Sequence, residues 1–509
     1  MKRALLVLLA ILIMAGSIAC SEPAVGDTSS TEAASSKTES APADVSTAEE
    51  SSEEENNYLV PHLGDADYTG KVLRILTAWD HMAYCVDQFG SYETTDEPVH
   101  DAFVERNRQL KAAYGFDIEA IFTDGWDAFT EKVRTDVLGD TAADAYDVIA
   151  MGLYYLTPLA SEGLLYDLYS IEDSHFNFEG EWWDKKVNND ITIDNSLFYT
   201  TGDIFVLDDE QTKVIFFNKD IVNESNLDNP YDLVRSGDWT IDKFHEMAKE
   251  VAHPGGDGKM DATDDDVWGL VGPVFMQYFF VLGCNCPISL KDDSDIPYLA
   301  MDSEATANAF IKAHDLITDK DHVAYTERYY AWNNPDAHLV VDNFYKGQSL
   351  FFVNSLEAVN SDNLRNSDIH YGILPFPKYN KEQDNYRNSA EPYAFFVLSI
   401  PISTQDLDFT TFALEAMAYT GRQYVTSTYY TQTLKNKRFD DDDSPEMLDL
   451  IMQSRLIDLS VVYNWDDSIQ YYNQMAVREA NTLSSFIESH RGAYEKALGA
   501  TVEAIQANK

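Results

Sequence analysis

Cysteine is nearly absent from this chain: 4 of 509 residues, at positions 20, 85, 284 and 286. With Cys20 set aside, Cys85, Cys284 and Cys286 are an odd number and too few to organise a fold as a disulfide framework. Cys284-Asn285-Cys286 is one arm of a metal motif with no second arm nearby, so small, partly buried thiols are expected there. The 11 His residues never fall in HxH, HxxxH or HExxH spacing, which removes the footing for a zinc hydrolase. Basic residues are scarce as well, 36 Lys plus Arg against 87 Asp plus Glu, for a net charge of −51. A surface so acidic repels nucleic acid and anionic lipid, and excludes both as partners. It also devalues any search for paired carboxylates, because acidic pairs occur everywhere by chance. Long apolar runs are missing after the first twenty residues; the segments around Val214–Phe217 and Phe395–Ile402 have strand dimensions, well short of the roughly 20 residues of a spanning helix.

What is present begins at the start of the chain. Lys2 and Arg3, the apolar run Ala4–Ala15 and the small residues before Cys20 read as a secretory signal peptide over residues 1–19. Gly16-Ser17-Ile18-Ala19-Cys20 resembles the bacterial lipobox, with Ser17 where Leu usually stands. That resemblance implies acylation of Cys20, palmitate included, and a protein tethered to the outer face of the cell membrane by lipid alone. Ordinary cleavage or a transmembrane anchor are the alternatives, the latter disfavoured by the short run. Ser21–Asn57 has no aromatic residue, and its only aliphatics larger than Ala are Val25 and Val45. Such a segment cannot offset its ordering entropy, so residues 20–62 are expected to be a disordered Ser/Glu-rich tether. Its mean reach is roughly 30–40 Å.

The body, about 450 residues, exceeds one core and is expected to form at least two lobes. Its apolar period alternates. Val72–Leu76 reads as a strand ending at Trp79-Asp80; Val99, Phe103, Leu110 and Tyr114 mark a helix face; Phe116, Ile118, Ala120 and Phe122 alternate as a strand ending near Trp126. Phe129, Val133 and Val137 are helical again, and Asp147–Met151 is a third strand, followed by Tyr154-Tyr155. Strand–helix alternation predicts an α/β fold with a mostly parallel sheet, in which ligands bind beyond the carboxyl ends of the strands. Further along, Thr240 is placed to cap a helix with Ile241, Phe244, Ala248 and Val251 on its buried face, and Ser444-Pro445 to start another. The tail from Ser468 has helical composition, with interruptions expected at Gly492 and Gly499.

Tyr146-Asp147-Val148-Ile149 and Leu159–Leu168 resemble the extracellular solute-binding proteins of ABC importers, the sugar-type group that includes maltodextrin-binding protein. The likeness continues in order through Trp182-Trp183-Asp184, Gly202-Asp203-Ile204, Val214–Lys219, Gly237–Phe244, Tyr371–Tyr379 and Ser444–Ile451. It implies a two-lobed periplasmic-binding-protein-like fold of type II, with a hinge and a ligand cleft between the lobes. The lobes would be residues 63–207 plus 394–430 and residues 208–393 plus 431–509, with crossings near Leu207–Gln211, near Tyr393–Phe396 and after the helix around Phe409–Tyr419. The function implied is that of a monomeric, non-enzymatic, lipid-anchored receptor delivering a carbohydrate, an oligosaccharide, to ABC permease subunits. A receptor for peptides or other solutes, and a surface glycoside hydrolase with two carboxylates at a set separation, stand as the alternatives. Trp and Tyr faces stack on sugar rings while carboxylates and amides bond hydroxyls. The candidates of this kind are Trp79, Asp80, Trp126, Tyr154, Tyr155 and Asp203 in the first lobe and Trp332, Asn333, Asn354, Glu391 and Tyr393 in the second.

No cofactor is expected beyond one conditional case. Asp257-Gly258-Lys259-Met260-Asp261-Ala262-Thr263-Asp264 has the second half of an EF-hand-like loop, but His253 and Gly255 stand where the first carboxylates belong. A solvated acidic turn is the favoured reading; a structural calcium would use Asp257, Asp261 and Asp264.

Overall fold

The computed structural model describes residues 58–509 apart from 79–87, 124, 140, 142, 144, 262–264, 332–333 and 432–440. The signal segment, Cys20 and most of the expected tether lie outside these residues, as do Cys85, Trp79, Asp80, Asp264, Trp332 and Asn333. Val60, near the tether's end, is buried, and its N–H donates to the Tyr114 hydroxyl at 3.1 Å.

Strands β1 (Val72–Ala78), β2 (Asp117–Thr123) and β3 (Val148–Gly152) form a parallel set with β1 in the middle. Leu73 sits opposite Ile118, and Ile75 opposite Val148. Helices Pro98–Tyr114 and Trp126–Leu138 make the crossovers, with Phe103, Leu110 and Tyr114 buried on one and Phe129 and Val133 on the other. These are the faces read from the period of the apolar residues.

The chain then leaves this sheet through the short helix Leu207–Glu210 and enters a second one. There β4 (Lys213–Asn218), β5 (Trp268–Gly272), β8 (Val323–Tyr325), β9 (Ser349–Ser355) and β10 (Tyr371–Leu374) are ordered β10-β4-β9-β5-β8, while β6 (Ser289–Lys291) and β7 (Pro297–Leu299) pair only with each other. β11 (Phe396–Ser399) returns to the first sheet, antiparallel to β3. Two sheets in one chain, joined by paired crossings, make a two-lobed α/β fold. The crossings hold each other: Lys213 N–H donates to the Ser389 carbonyl at 2.8 Å, and Glu391 N–H to that of Gln211 at 3.0 Å. A further helix, Leu407–Gly421, continues into a π-helical turn, Arg422–Thr426.

In the second lobe Thr240 caps helix Ile241–Val251 by accepting from Lys243 N–H at 3.3 Å. Phe244 stacks on Phe351 of β9 with ring centroids 4.3 Å apart, so Phe244→Ala should cost about 3–5 kcal/mol. Two local expectations change. Ser444 is the first residue of helix Ser444–Gln453 and not its cap; it is buried and bonded to Tyr231 and Asp441, and Asp441 accepts its N–H. The final helix, Leu483–Ala507, runs unbroken through Gly492 and Gly499. Each glycine costs roughly 1 kcal/mol against alanine, and burial of Phe486, Tyr494 and Ile505 offsets it. This tail touches both lobes, since Asn508 donates to the Ala160 carbonyl at 3.3 Å and Arg491 pairs with Asp302 at 2.6 Å.

Candidate functional site

Beyond the end of β3 the structure gathers four of the expected aromatics. Tyr154 lies against Tyr393 with centroids 4.5 Å apart, Tyr155 stands edge-on to Tyr154 at 5.4 Å, and Trp126 stands edge-on to Tyr155 at 5.4 Å. All four are half-buried, which leaves part of each ring available for contact. The backbone sets this up. Leu153 N–H donates to Phe395 at 2.9 Å and Tyr154 N–H to Pro392 at 3.1 Å, drawing the return crossing over the strand end. Gly152 is required for that approach, because a Cβ there would stand 1.8 Å from the Tyr393 carbonyl oxygen. Burial, with the neighbouring tyrosines and Glu391, raises the Tyr393 phenol well above its usual range.

A cavity of about 520 Å³ opens beside the crossings. Gln88, Glu97, His100, Phe103, Val206 and Tyr429 line it from one side, Tyr345, Asn354, Glu357, Asn360 and Arg365 from the other, and Glu210 from the crossing helix. Asn354 is there because it is the penultimate residue of β9. Glu97 is fixed by capping its helix, accepting from the N–H groups of Val99 and His100 at 2.9 Å each. Glu210, 7% exposed, accepts from the Asn360 amide at 2.9 Å. Its pKa is pushed up to about 8, by burial first and then by the charges of Glu357 and Asp209.

Glu391 lies between the two surfaces. Its carboxylate pairs with buried Lys213 at 3.0 Å, and Lys213 also donates to Ser355 at 2.9 Å. Gln211 donates to Glu357 at 2.7 Å. Cavity, crossings and tyrosines are thus connected through Glu357, Gln211, Glu391 and Tyr393.

Asp203 is not brought to this place. It lines a second cavity, of about 920 Å³, with Trp182, Arg422 and Arg455. It accepts from Thr426 at 2.7 Å and Arg422 at 3.2 Å, and burial pushes its pKa up to about 7. In the acidic loop, Asp257 accepts from Lys259 N–H at 2.8 Å, while buried Asp266 accepts from the N–H groups of Gly255 and Asp261. Among the described residues no three metal-ligating side chains converge. Cys284 and Cys286 are buried free thiols, and burial raises both pKa values. Glu97, Glu210, Glu357 and Tyr429 escaped sequence reasoning. In a chain with 87 acids nothing local marks three of them, although Glu210 does fall in the crossing Leu207–Gln211.

The profile of the family described as bacterial extracellular solute-binding protein matches residues 87–399. No curated protein matches the chain by sequence. Among solved structures, a sugar transporter of Rhizobium etli in an open conformation is 14% identical with a TM-score of 0.53, covering 86% of this chain and 100% of its own. An ABC transporter solute-binding protein of Thermotoga lettingae, bound with alpha-D-tagatose, is 12% identical with a TM-score of 0.51, covering 85% of this chain and 100% of its own. A cyclo/maltodextrin-binding protein complexed with maltotetraose is 12% identical with a TM-score of 0.51, covering 86% of this chain and 96% of its own. At such identities the likeness is one of fold.

Proposed function

We infer that this chain, which belongs to the bacterial extracellular solute-binding proteins, captures a carbohydrate outside the cell and hands it to an ABC permease. The family is one of binding proteins and not enzymes. The observation that carries the carbohydrate reading is the pairing of two surfaces. Trp126, Tyr154, Tyr155 and Tyr393 offer rings for the apolar faces of pyranoses, and the adjoining cavity offers carboxyl, amide and hydroxyl groups for their hydroxyls. The sugars held by the Thermotoga lettingae and cyclo/maltodextrin-binding proteins point the same way. Because Glu357, Gln211, Glu391 and Tyr393 connect the surfaces, an oligosaccharide reaching both is favoured over a single ring. Among the described residues no helix is long and apolar enough to cross a membrane, and the anchor we assign is the lipid on Cys20.

A thermal-shift panel of mono- and oligosaccharides, followed by calorimetry and analysis of the recovered sugar, tests the reading. A raised melting temperature with the sugar returned intact is expected; turnover of the sugar, or shifts with peptides only, overturns it. Cys20→Ser should release the protein into the medium or leave the uncleaved precursor. Equal membrane fractionation and processing of mutant and wild type would refute the anchor.

A further inference from the structure

The cavity beside the crossings is unevenly charged. Glu97 reaches it from a helix start in the first lobe, Glu210 from the crossing helix, and Glu357 from the turn that follows β9. Among the described residues lining it, the one guanidinium or ammonium group is that of Arg365, which is exposed. The buried guanidinium of Arg106 lies behind this wall and donates to the carbonyls of Gln88, at 2.8 Å, and Ile204. Glu210 is the crowded member, faced by Glu357, Asp209, Glu97 and the Tyr429 phenol, and among the described residues only the Asn360 amide donates to it. Its pKa is thereby pushed up to about 8, so it is protonated well below that pH. A second observation is independent of charge. Tyr429 lines the same cavity, is 1% exposed, and its hydroxyl makes no hydrogen bond among the described residues. A buried hydroxyl without a partner costs about 1–3 kcal/mol, part of which a ligand group donating to its oxygen would relieve.

We propose that this part of the cavity is a subsite for a protonated amino group on the captured sugar, with Glu210 and Tyr429 as acceptors and with Glu97 and Glu357 favouring the positive charge. The proposal rests on the carbohydrate reading above. An ammonium brings three donors and no acceptor, which suits a wall rich in oxygen; a neutral hydroxyl leaves the crowding of carboxylates unrelieved. When the ammonium binds, the Glu210 carboxylic O–H breaks, its proton passes to solvent, and the carboxylate accepts from the ligand N–H. At pH 6.5, well below the Glu210 pKa of about 8, capture thus releases up to one proton per ligand.

The test is calorimetry on the full chain at pH 6.5 in two buffers of different ionisation enthalpy. The probes are glucosamine, galactosamine, mannosamine and chitosan di- to tetrasaccharides, against their N-acetylated and unsubstituted counterparts. Amino sugars should bind at least tenfold tighter, with buffer-dependent heats reporting the released proton. Glu210→Gln and Tyr429→Phe should each remove most of that preference while neutral sugars, where they bind, change little. Neutral probes binding as tightly as amino probes would overturn the subsite and leave the carbohydrate reading standing; no binding by either set overturns both. A preference that survives Tyr429→Phe without proton release also sinks the proposal, even if Glu210→Gln fails to fold.

Discussion

Glu415 and Glu210 are both buried carboxylates on helices, and they differ in how many donors reach them. Glu415, 0% exposed, accepts from four N–H groups: His62 at 2.7 Å, Trp182 at 2.9 Å, Trp183 at 2.8 Å and the Asn177 backbone at 3.1 Å. Among the described residues Glu210 accepts from one amide, and it is crowded by other acids at the edge of a cavity. A carboxylate with every oxygen occupied clamps the fold, here fastening the first described residues and the Trp182-Trp183 segment to helix Leu407–Gly421. One left short of donors destabilises the empty protein and keeps capacity for a ligand.

The contrast can be broken experimentally. Glu415→Ala leaves four N–H donors without their acceptor, the Trp183 indole buried and the other three part-buried, and should lower stability by about 3–5 kcal/mol in urea unfolding, whereas Glu210→Gln should cost under about 1 kcal/mol or stabilise. Comparable losses from the two would dissolve the distinction. Trp126→Ala and Tyr154→Ala, at the other surface, should each weaken binding of an identified sugar by about 1–3 kcal/mol with the melt nearly unchanged. If both bind normally, these rings only pack. The third test is pH. Glu210 and Asp203 hold protons more tightly folded, up to about 8 and about 7, than their ordinary values of 4.5 and 3.8. The native state therefore binds more protons across that window, so their contribution is full at low pH and lost as pH rises through the folded values, by at most about 1.4 kcal/mol per pH unit per group. Glu210→Gln should flatten the fall in stability between pH 5.5 and 8; an unchanged slope would mean that Glu210 is already ionised. The smallest effect concerns Asp266, which, like Glu415, is met by N–H donors, those of Gly255 and Asp261. Chelators should leave the melting temperature unchanged to within about a degree, and a clear drop would mean that the loop holds calcium.

Much of the fold was legible because its signals are local. The buried faces of Pro98–Tyr114 and Ile241–Val251 recur at helical spacing, and Thr240 caps because its hydroxyl is within reach of the next turn. The tail helix misled, because burial of distant apolar positions outweighed the penalty of Gly492 and Gly499. The tyrosine surface was half legible. Tyr154 and Tyr155 follow a strand that the apolar pattern marks, while their contact with Tyr393 depends on β11 returning beside β3. Asp203 looked like a sister residue and went elsewhere, held by Arg422 and Thr426 from a helix that the sequence places far away.

By itself the sequence determined the class of the protein: alternating strands and helices, a body too long for one lobe, a strongly acidic balance and few cysteines. Those properties depend on composition and on neighbours a few residues apart, which one sequence displays. Only the tertiary structure decided which carboxylates matter. Glu415 and Glu210 carry the same side chain, and apart from Asp209 beside Glu210 in the chain, what separates them is the set of donors and acids that folding brings from His62, Trp183, Glu97 and Glu357. Burial and charge act through space, so a carboxylate's role follows from neighbours that chain order does not reveal.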